Sequence, residues 1–515
     1  MEINRKRAET WIEQAAACGL IGAAGLLGEK AGGCAGLLWP GSLQTTGKTI
    51  FCLVRLEGER ALLAEGPEAA GFNGTPHRYK GREYRFCPLS HENAAALREV
   101  LPFTAPSRVL GSTATFGTGD RLGIAVSAYL RALRKTSFLP VLAQQSVREL
   151  ELTGRDYAGL IDSASWGVFQ EGYTGPWGAD GDHLKTAEWV RTALADGCTM
   201  ITADLSEYIR SEYEEGAGGD ENHGSGGREI DEAYAELPDE YRREKEAKYL
   251  GKIVALDTGD SICISRETLR RVILVYKNAV DFAAELYRAG REVRKSFDFE
   301  VSIDETDCPT LPEAHIFVAE ELLERNIEYQ TIAPRFIGEF QKGIDYMGNV
   351  EAFERSFAVH AAIARYYGHK LSVHSGSDKF SVFPAISRET KGRFHLKTSG
   401  THWLQALALV AETNPDLFRE IYGYALKVFP VTRTYYHITP NLSDMPDAGV
   451  LADGELGKLL INTNSRQVLH VSYGEIYKNE DLKAQLFGEL KGNEEKYHQF
   501  LAAHLQKHVD RLAGG

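Results

Sequence analysis

Acidic and imidazole side chains with the spacing of a metal or acid–base site occur at three places in the chain. Three acids crowd into Asp304-Glu305-Thr306-Asp307, and like charges this close repel each other unless a cation or a raised pKa relieves them. His183 follows Asp182, and His374 follows a short apolar run. Two imidazoles and one of these acids, with open positions left, suit a divalent transition metal that acts as a Lewis acid. A solvated loop at 304–307 is the alternative interpretation.

Asp120 and Gln145 are polar candidates nearer the start of the chain. Asp120 is either a general base or the N-cap of a helix predicted over 122–133. Gln145, with the neighbouring amide of Gln144 and the hydroxyl of Ser146, can bind sugar hydroxyls. Ser146 can equally cap the helix that follows it.

Two turns rich in small residues carry lysines and predict an anion site. They are Ser375-Gly-Ser-Asp-Lys379 and Lys397-Thr-Ser-Gly-Thr401. Backbone N–H groups in such turns, together with a lysine ammonium, can hold a carboxylate or a phosphate. Arg335, which follows another apolar run, is a further candidate for clamping an anion.

Eight short apolar runs, most of them leading into a helical pattern, must position these side chains. Such alternation favours a parallel sheet, and eight units predict a TIM-type (β/α)8 barrel, with a doubly wound sheet as the alternative. In a barrel, reacting groups lie at the carboxyl ends of the strands, which is where the candidates fall. The runs are 108–112, 140–146, 166–170, 199–204, 299–305, 328–334, 370–375 and 393–398.

The remaining segments divide the chain into three parts. We predict a small N-terminal α+β region over 1–104, a catalytic barrel over 105–430 with an insertion at about 207–295, and a C-terminal extension over 431–515. Within the insertion, the Gly- and acid-rich segment 214–228 predicts a mobile surface linker. The extension contains a strand-like run at 467–473 and ends in an amphipathic helix over 493–513.

Composition excludes several classes of protein. The 515 residues include 58 Lys and Arg against 72 Asp and Glu, a net charge of −14, which argues against binding to nucleic acid. The scattered cysteines, the N-terminus without a signal peptide and the lack of a long apolar span predict a cytoplasmic protein without membrane contact. A homo-oligomer is compatible with the sequence. The sequence has no dinucleotide-binding glycine pattern, so a bound NAD is not expected.

Eight segments in the same order resemble the tagaturonate/fructuronate epimerase family. The resemblance implies a metal-dependent enzyme, related to tagatose 4-epimerases, that inverts the carbon bearing the 4-hydroxyl of a ketose sugar acid. Inversion can follow cleavage and re-formation of the C3–C4 bond, or deprotonation and reprotonation at that carbon. The segments are GTGDRLGIA, PVLAQQSVREL, WGVFQEGYTGPWGADGDHLKT, SIDET, TIAPRFIGEFQKGID, SVHSGSDKFSVFP, KTSGTHW and RQVLHVSYG.

Within this resemblance each candidate receives a role. Asp120 is the expected base and Glu305 the partner acid. The expected ligands of a Zn, Mn, Ni or Co type of metal are His183 and His374, with Asp204 or His402 as a third. Residues expected to bind the substrate, including its carboxylate, are Gln145, Arg335, Ser375, Lys379, Lys397 and Arg466.

Three other functions remain open from the sequence. The GADGDHLKT segment also resembles class II aldolases, so a metal-dependent aldolase on a phosphorylated ketose is one alternative. A 4-epimerase on free tagatose or fructose is another. A non-catalytic protein that binds a sugar acid on a barrel scaffold is the third, although the crowded acids argue against it.

Overall fold

A closed barrel of eight parallel strands forms the centre of the computed structural model, which describes residues 5–22, 25–26, 36–56, 59–111, 113–214 and 227–513. Neighbouring strands follow chain order, and the last strand pairs with the first through Leu396 and Phe116. The expected TIM-type barrel is therefore confirmed. The strands are β1 Thr115–Thr118, β2 Leu139–Ser146, β3 Gly178–Leu184, β4 Met200–Asp204, β5 Asp298–Ile303, β6 Thr331–Pro334, β7 Lys370–Val373 and β8 Phe394–Thr398.

The first predicted strand, 108–112, is wrong. Its described residues form irregular backbone, and β1 begins at Thr115 instead. The N–H groups of Val109 and Leu110 donate to Asp298 Oδ2 at 2.8 and 2.9 Å. Because Asp298 begins β5, this apolar segment closes the amino-terminal end of the barrel, and its buried side chains imitate a strand in the sequence.

The third predicted strand, 166–170, is also wrong, because it lies inside the helix Tyr157–Glu171. That helix is buried along most of its length, so a part of it reads as a continuous apolar run. The true strand, β3, contains Asp180 and Asp182, which are buried inside the barrel beside Lys397. A strand with an ionic interior lacks the apolar pattern by which the others were found.

An antiparallel sheet precedes the barrel. One face covers the helix Arg5–Ala17 through Trp11, and the other packs against Trp166 and Phe169 of the barrel's outer layer. A short strand pair, Ile21–Gly22 and Gly25–Leu26, and the helix His91–Val100 complete this part. The sheet strands, in spatial order, are Gln44–Thr46, Thr49–Leu56, Glu59–Glu65, Arg82–Cys87 and Thr75–Tyr79.

The interval between β4 and β5 holds the expected insertion. It contains the helices Gly227–Ala235 and Asp239–Tyr249 and the strand pair Ile253–Ala255 and Ser261–Cys263. The long helix Arg266–Val293 that follows packs between two helices of the outer layer, so it belongs to the barrel itself. The predicted linker at 214–228 falls mostly outside the described residues.

Helices surround the barrel and continue into the extension. The predicted strand at 467–473 is wrong, because these residues lie in two short helices; apolar runs of this length do not distinguish strand from buried helix. The predicted final helix is confirmed and packs against the helices after β1, β7 and β8. None of the described helices has the length and apolar character needed to cross a membrane. The outer helices are Val126–Leu133, Val147–Thr153, Ala187–Ala195, Pro312–Glu324, Val350–Tyr367, Phe383–Thr390 and Thr401–Thr413. Those of the extension and the segment before it are Pro415–Thr432, Thr463–Val471, Tyr473–Lys478, Glu480–Gly492 and Glu494–Ala513.

Candidate active site

A cavity of about 770 Å³ opens at the carboxyl ends of the barrel strands. Its walls come from residues that end or follow β2 to β8 and from the segment Tyr435–His437 of the C-terminal extension. This is the face at which barrel enzymes carry their reacting groups. Of the predicted residues, those lining the cavity are His183, Asp204, Glu305, Arg335, His374, Ser375 and Lys397.

His183 occupies the centre of an acidic group. Its backbone φ is 52°, in the left-handed region that a non-glycine residue rarely adopts. Its Nδ1 atom lies 3.2 Å from Asp204 Oδ2 and 3.9 Å from Glu305 Oε1, and one ligand atom of each residue lies within 4.8 Å of the others. Burial opposes the imidazolium, but the charge of Asp182 and the hydrogen bond with Asp204 raise the pKa of His183 to about 10. The group has the donors and the spacing of a cation site.

His374 faces the same space from β7, and its ring centre lies 4.8 Å from that of His183. Its Nε2 atom contacts Glu300 Oε1 at 2.8 Å, and its Nδ1 atom lies 3.1 Å from Asp304 Oδ1. Burial would lower the pKa of His374, but the two carboxylates raise it above its ordinary value. The fully buried Glu300 fixes the orientation of the ring, so that Nδ1 faces Asp304.

Lys397 lies beneath these residues and is bound to acids. Its ammonium donates to Asp180 and Asp182 at 2.9 and 2.6 Å and lies 2.8 Å from Glu300 Oε1. A buried ammonium surrounded by three carboxylates is already compensated, so it holds the acids in place and does not offer a free charge to an anion. The structure thus brings Lys397 to the site, but it contacts carboxylates there and does not form the anion-binding turn that the sequence suggested.

Asp120 and His402 lie outside the cavity. The Asp120 carboxylate accepts hydrogen bonds from the backbone N–H groups of Leu122, Gly123 and Ala125 at 2.8 to 2.9 Å. His402 is buried and accepts a hydrogen bond from the Arg121 N–H at 2.9 Å. The helix begins at Val126, with Ala125 as its N-cap, so the predicted start at 122 is wrong and Asp120 is not the N-cap. Asp120 instead stabilises the irregular turn that precedes this helix.

Lys379 and Arg466 also lie behind the cavity wall. The Lys379 ammonium donates to the carbonyls of Gln341, Ile344 and Ser377 at 2.9, 2.6 and 3.0 Å. Burial lowers the pKa of Lys379 to about 7. Arg466 pairs with Asp378 and donates to two further carbonyls. Both cations hold the loops after β6 and β7 together, and the structure does not bring them to an anion site.

Of the predicted amide pair, Gln144 lines the cavity, whereas Gln145 is buried outside it. Other residues that line the cavity were not identified from the sequence. Lys342 lies several residues beyond the end of β6, and Tyr436 belongs to the extension, so no strand-end rule points to either. Arg148 begins the helix after β2 and was overlooked beside the amide pair.

Comparisons with known proteins agree on one family. The family model described as tagaturonate epimerase matches residues 39–512. The tagaturonate/fructuronate epimerase of Thermotoga maritima is 42% identical over 471 residues, which cover 90% of this chain and 94% of that protein. The native crystal structure of fructuronate-tagaturonate epimerase from Cohnella laeviribosi is 42% identical, covers 99% of this chain and 100% of its own, and has a TM-score of 0.89. A glycerol complex of the same protein gives the same TM-score, with 99% of each chain covered.

Proposed function

This chain belongs to the tagaturonate epimerase family, and we propose that it interconverts tagaturonate and fructuronate by inverting the carbon that bears the 4-hydroxyl. The observation that carries the assignment is 42% identity over nine-tenths of this chain and 94% of the Thermotoga maritima enzyme. The cavity at the carboxyl ends of the strands, with its imidazoles and carboxylates, has the groups that such a reaction needs.

A divalent transition metal fits the residues around His183. The imidazole of His183 and the carboxylates of Asp204 and Glu305 form a mixed nitrogen and oxygen donor set, which suits ions of the Zn, Mn, Ni or Co type. His374 is the proposed fourth ligand, because Glu300 holds its Nε2 atom in the manner of the carboxylates that orient metal-bound histidines. When bound, such an ion would act as a Lewis acid on a substrate oxygen. In this proposal Glu305 binds the metal and does not act as the partner acid that the family resemblance implied.

Asp182 is the proposed base. Its carboxylate lines the cavity next to the ligand set, and Lys397 holds it at 2.6 Å. Although burial favours the neutral acid, the Lys397 charge keeps the pKa of Asp182 below its ordinary value, so the carboxylate is ionised, as a base must be before it accepts a proton. Asp182 replaces Asp120 in this role because the Asp120 oxygens already accept three backbone hydrogen bonds.

The position of the two imidazoles suits an inversion. His183 lies on β3 and His374 follows β7, and these strands stand four positions apart in the ring of eight. Side chains therefore reach the substrate from opposite sides of the barrel. In the deprotonation route a proton is taken from one face of the carbon and returned on the other. In the cleavage route the 4-hydroxyl oxygen loses its proton, the C3–C4 bond breaks, and the aldehyde turns over before the bond re-forms and the oxygen regains a proton.

Turnover of purified tagaturonate tests the proposal. The full chain is incubated with tagaturonate after exhaustive chelation and again after addition of Zn, Mn, Ni or Co, and the sugars are separated by chromatography. We expect fructuronate to form without fragments and only in the presence of a metal. Net release of a three-carbon product would favour an aldolase, and no turnover with any metal would leave a binding protein as the better interpretation.

A further inference from the structure

Three side chains of the cavity form a cationic corner, which we define as Lys342, Arg148 and the ring of Tyr436. The Lys342 ammonium lies 5.7 Å from the centre of this ring, and the Arg148 guanidinium lies 5.7 Å from the same centre. We infer that the cationic corner binds the carboxylate of the sugar acid and that Lys342 sets the preference for a uronate over an uncharged ketose. This inference rests on the proposed function, because it identifies where the charged end of that substrate lies.

Lys342 is a partly buried cation without an acidic partner among the described residues. Its ammonium donates to Ser375 Oγ at 2.8 Å, and among the described residues no carboxylate oxygen lies within 4 Å of it. An ammonium removed from water without a counter-charge is unfavourable, so the arrangement becomes stable when an anion enters. Burial also lowers the pKa of Lys342, and a bound carboxylate would reverse this effect.

The other cations of the cavity contrast with Lys342. Lys397 contacts three buried carboxylates, and Lys185 lies 3.4 Å from Glu207 and 3.7 Å from Asp204. Arg335, the residue that the sequence favoured, lies 3.3 Å from Glu339. Since these three are compensated by the protein, they have less to gain from an added anion than Lys342 has.

Arg148 supplies a second positive charge at the rim. Its Nη1 atom donates to the backbone oxygen of Tyr435 at 2.8 Å, and no carboxylate of the described chain lies within 4 Å of the guanidinium. The remaining N–H groups of this planar fork can donate to carboxylate oxygens. The Tyr436 hydroxyl lies 3.2 Å from the Tyr473 hydroxyl, which holds the ring between the two cations.

The cationic corner opens into the same cavity as the proposed ligand set. Ser375, which accepts the Lys342 hydrogen bond, directly follows His374 in that ligand set. In this inference the ketone end of the six-carbon substrate lies at the imidazoles and its carboxylate lies at Lys342. The neutral side chains of Ser375 and Tyr436 beside the ammonium leave the charge free for this carboxylate.

The test compares charged and neutral inhibitors on matched variants. Reduction of fructuronate and of fructose by borohydride gives inert hexonates and hexitols, whose inhibition constants are measured against turnover of tagaturonate by the metal-loaded enzyme. The variants are Lys342→Met, Lys342→Arg, Arg148→Met and, for the competing cation of the cavity, Arg335→Met. Circular dichroism and the unfolding temperature verify that each variant is folded.

For Lys342→Met we expect the hexonate inhibition constant and the KM for tagaturonate to rise about 10- to 100-fold, as for the loss of a charge-assisted hydrogen bond. The hexitol constant should change less than about twofold. Lys342→Arg should recover most of the hexonate affinity, and Arg148→Met should show a smaller loss of the same kind. Arg335→Met should lose less hexonate affinity than Lys342→Met, because Glu339 already compensates the charge of Arg335.

Two results would overturn the inference while leaving the epimerase function intact. In the first, the unaltered enzyme turns over tagaturonate, but Arg335→Met loses hexonate affinity and Lys342→Met does not. The other is an equal loss of hexonate and hexitol affinity in Lys342→Met, which would indicate a positioning role. If Lys342→Met does not fold, the charge-preserving Lys342→Arg and the rim variant Arg148→Met carry the comparison. Failure of the proposed function is a different result, since the unaltered enzyme would then not convert tagaturonate.

Discussion

His183 and His374 meet carboxylates at the cavity, whereas His315, His360 and His369 meet one another in the layer between helices and barrel. In the first group the acids raise the pKa of both imidazoles above the ordinary value. In the second group burial lowers the pKa of every ring, to about 4 for His360 and about 3 for His369. The groups around a histidine thus decide whether its ring is stabilised in the charged or in the neutral form.

The buried histidine chain has one consistent arrangement of protons. His360 Nε2 lies 3.1 Å from the Thr310 carbonyl and must donate to it. Its Nδ1 atom then accepts from His315 Nδ1 at 3.1 Å, and His315 Nε2 accepts from His369 Nε2 at 2.9 Å. Every ring is neutral and carries one proton. No nitrogen of His315 or His360 is left to bind a metal, so these rings hold the Thr310 loop in place.

Removal of the metal should give the largest difference between the two groups. Exhaustive chelation is expected to reduce tagaturonate turnover to background, because it would remove the Lewis acid that we propose at His183 and His374. Addition of a single metal should restore turnover, and elemental analysis should find about one ion per chain. Turnover that survives chelation at undetectable metal content would contradict the ligand set.

His183→Ala should lower kcat/KM by at least about a hundredfold, since even residues that only orient a ligand cost 10- to 100-fold. Bound metal should fall in parallel while the unfolding temperature stays close to that of the unaltered chain. A variant with full metal content would exclude His183 as a ligand. His374→Ala should show the same two changes, to a smaller extent.

His360→Phe should act on stability and not on chemistry. It leaves the His315 Nδ1–H and the Thr310 carbonyl without partners in a buried place, which costs about 1–3 kcal/mol of the free energy of unfolding. Urea denaturation measures this loss, with His437→Phe at an exposed position as the control. Retention of at least half of the metal-loaded activity is expected. Loss of metal from His360→Phe would show that the buried histidine group also supports the cavity site.

The free energy of unfolding should also fall as the pH is lowered from about 6.5. The folded pKa values of His360 and His369, about 4 and about 3, lie below the ordinary value, so the unfolded chain binds more protons in this range. The stabilisation by neutral imidazoles is present above pH 6.5 and is lost towards pH 4. Denaturation midpoints at several pH values should show this slope, and His360→Phe should reduce it. An unchanged slope in the variant would place the acid sensitivity elsewhere.

His402→Ala should have the smallest effect on the metal. The ring is buried outside the cavity and its Nε2 atom accepts a backbone hydrogen bond, so metal content is expected to be that of the unaltered chain. Some loss of stability from the unpaired Arg121 N–H is expected in urea denaturation. A loss of half of the bound metal or more would return His402 to the ligand set.

The sequence could predict those site residues that lie at the ends of barrel strands. His183, Asp204, Glu305 and His374 all follow or end barrel strands, and the structure brings them together. The cations were harder to place, because a lysine or arginine in a turn gives no sign of what it contacts. Lys379 donates to carbonyls behind the wall, while Lys342 reaches the cavity from an irregular segment.

The fold was predictable where a buried strand appears in the sequence as a short apolar run. Parallel strands such as β7 read as apolar runs, and six of the eight runs coincide with strands. The two failures have physical causes: the segment at Val109 is apolar because it closes the barrel, and β3 is polar because its acids pair with Lys397. A strand whose inward-facing side chains are charged has no apolar run, so hydropathy does not reveal it.

The barrel can close only after the ribosome has synthesised its last strand. Thr398 at the end of β8 donates to the Gly117 carbonyl of β1, two residues that are 281 positions apart. At a synthesis rate of roughly 5 to 20 residues per second, β1 waits about 14 to 56 seconds for its last neighbour to leave the ribosome. During that time the edge of β1 has unpaired backbone groups, which are a template for association with other chains. The Tyr436 side of the cavity is made later still, so a ribosome-bound chain has its imidazoles before it has the ring at the cationic corner.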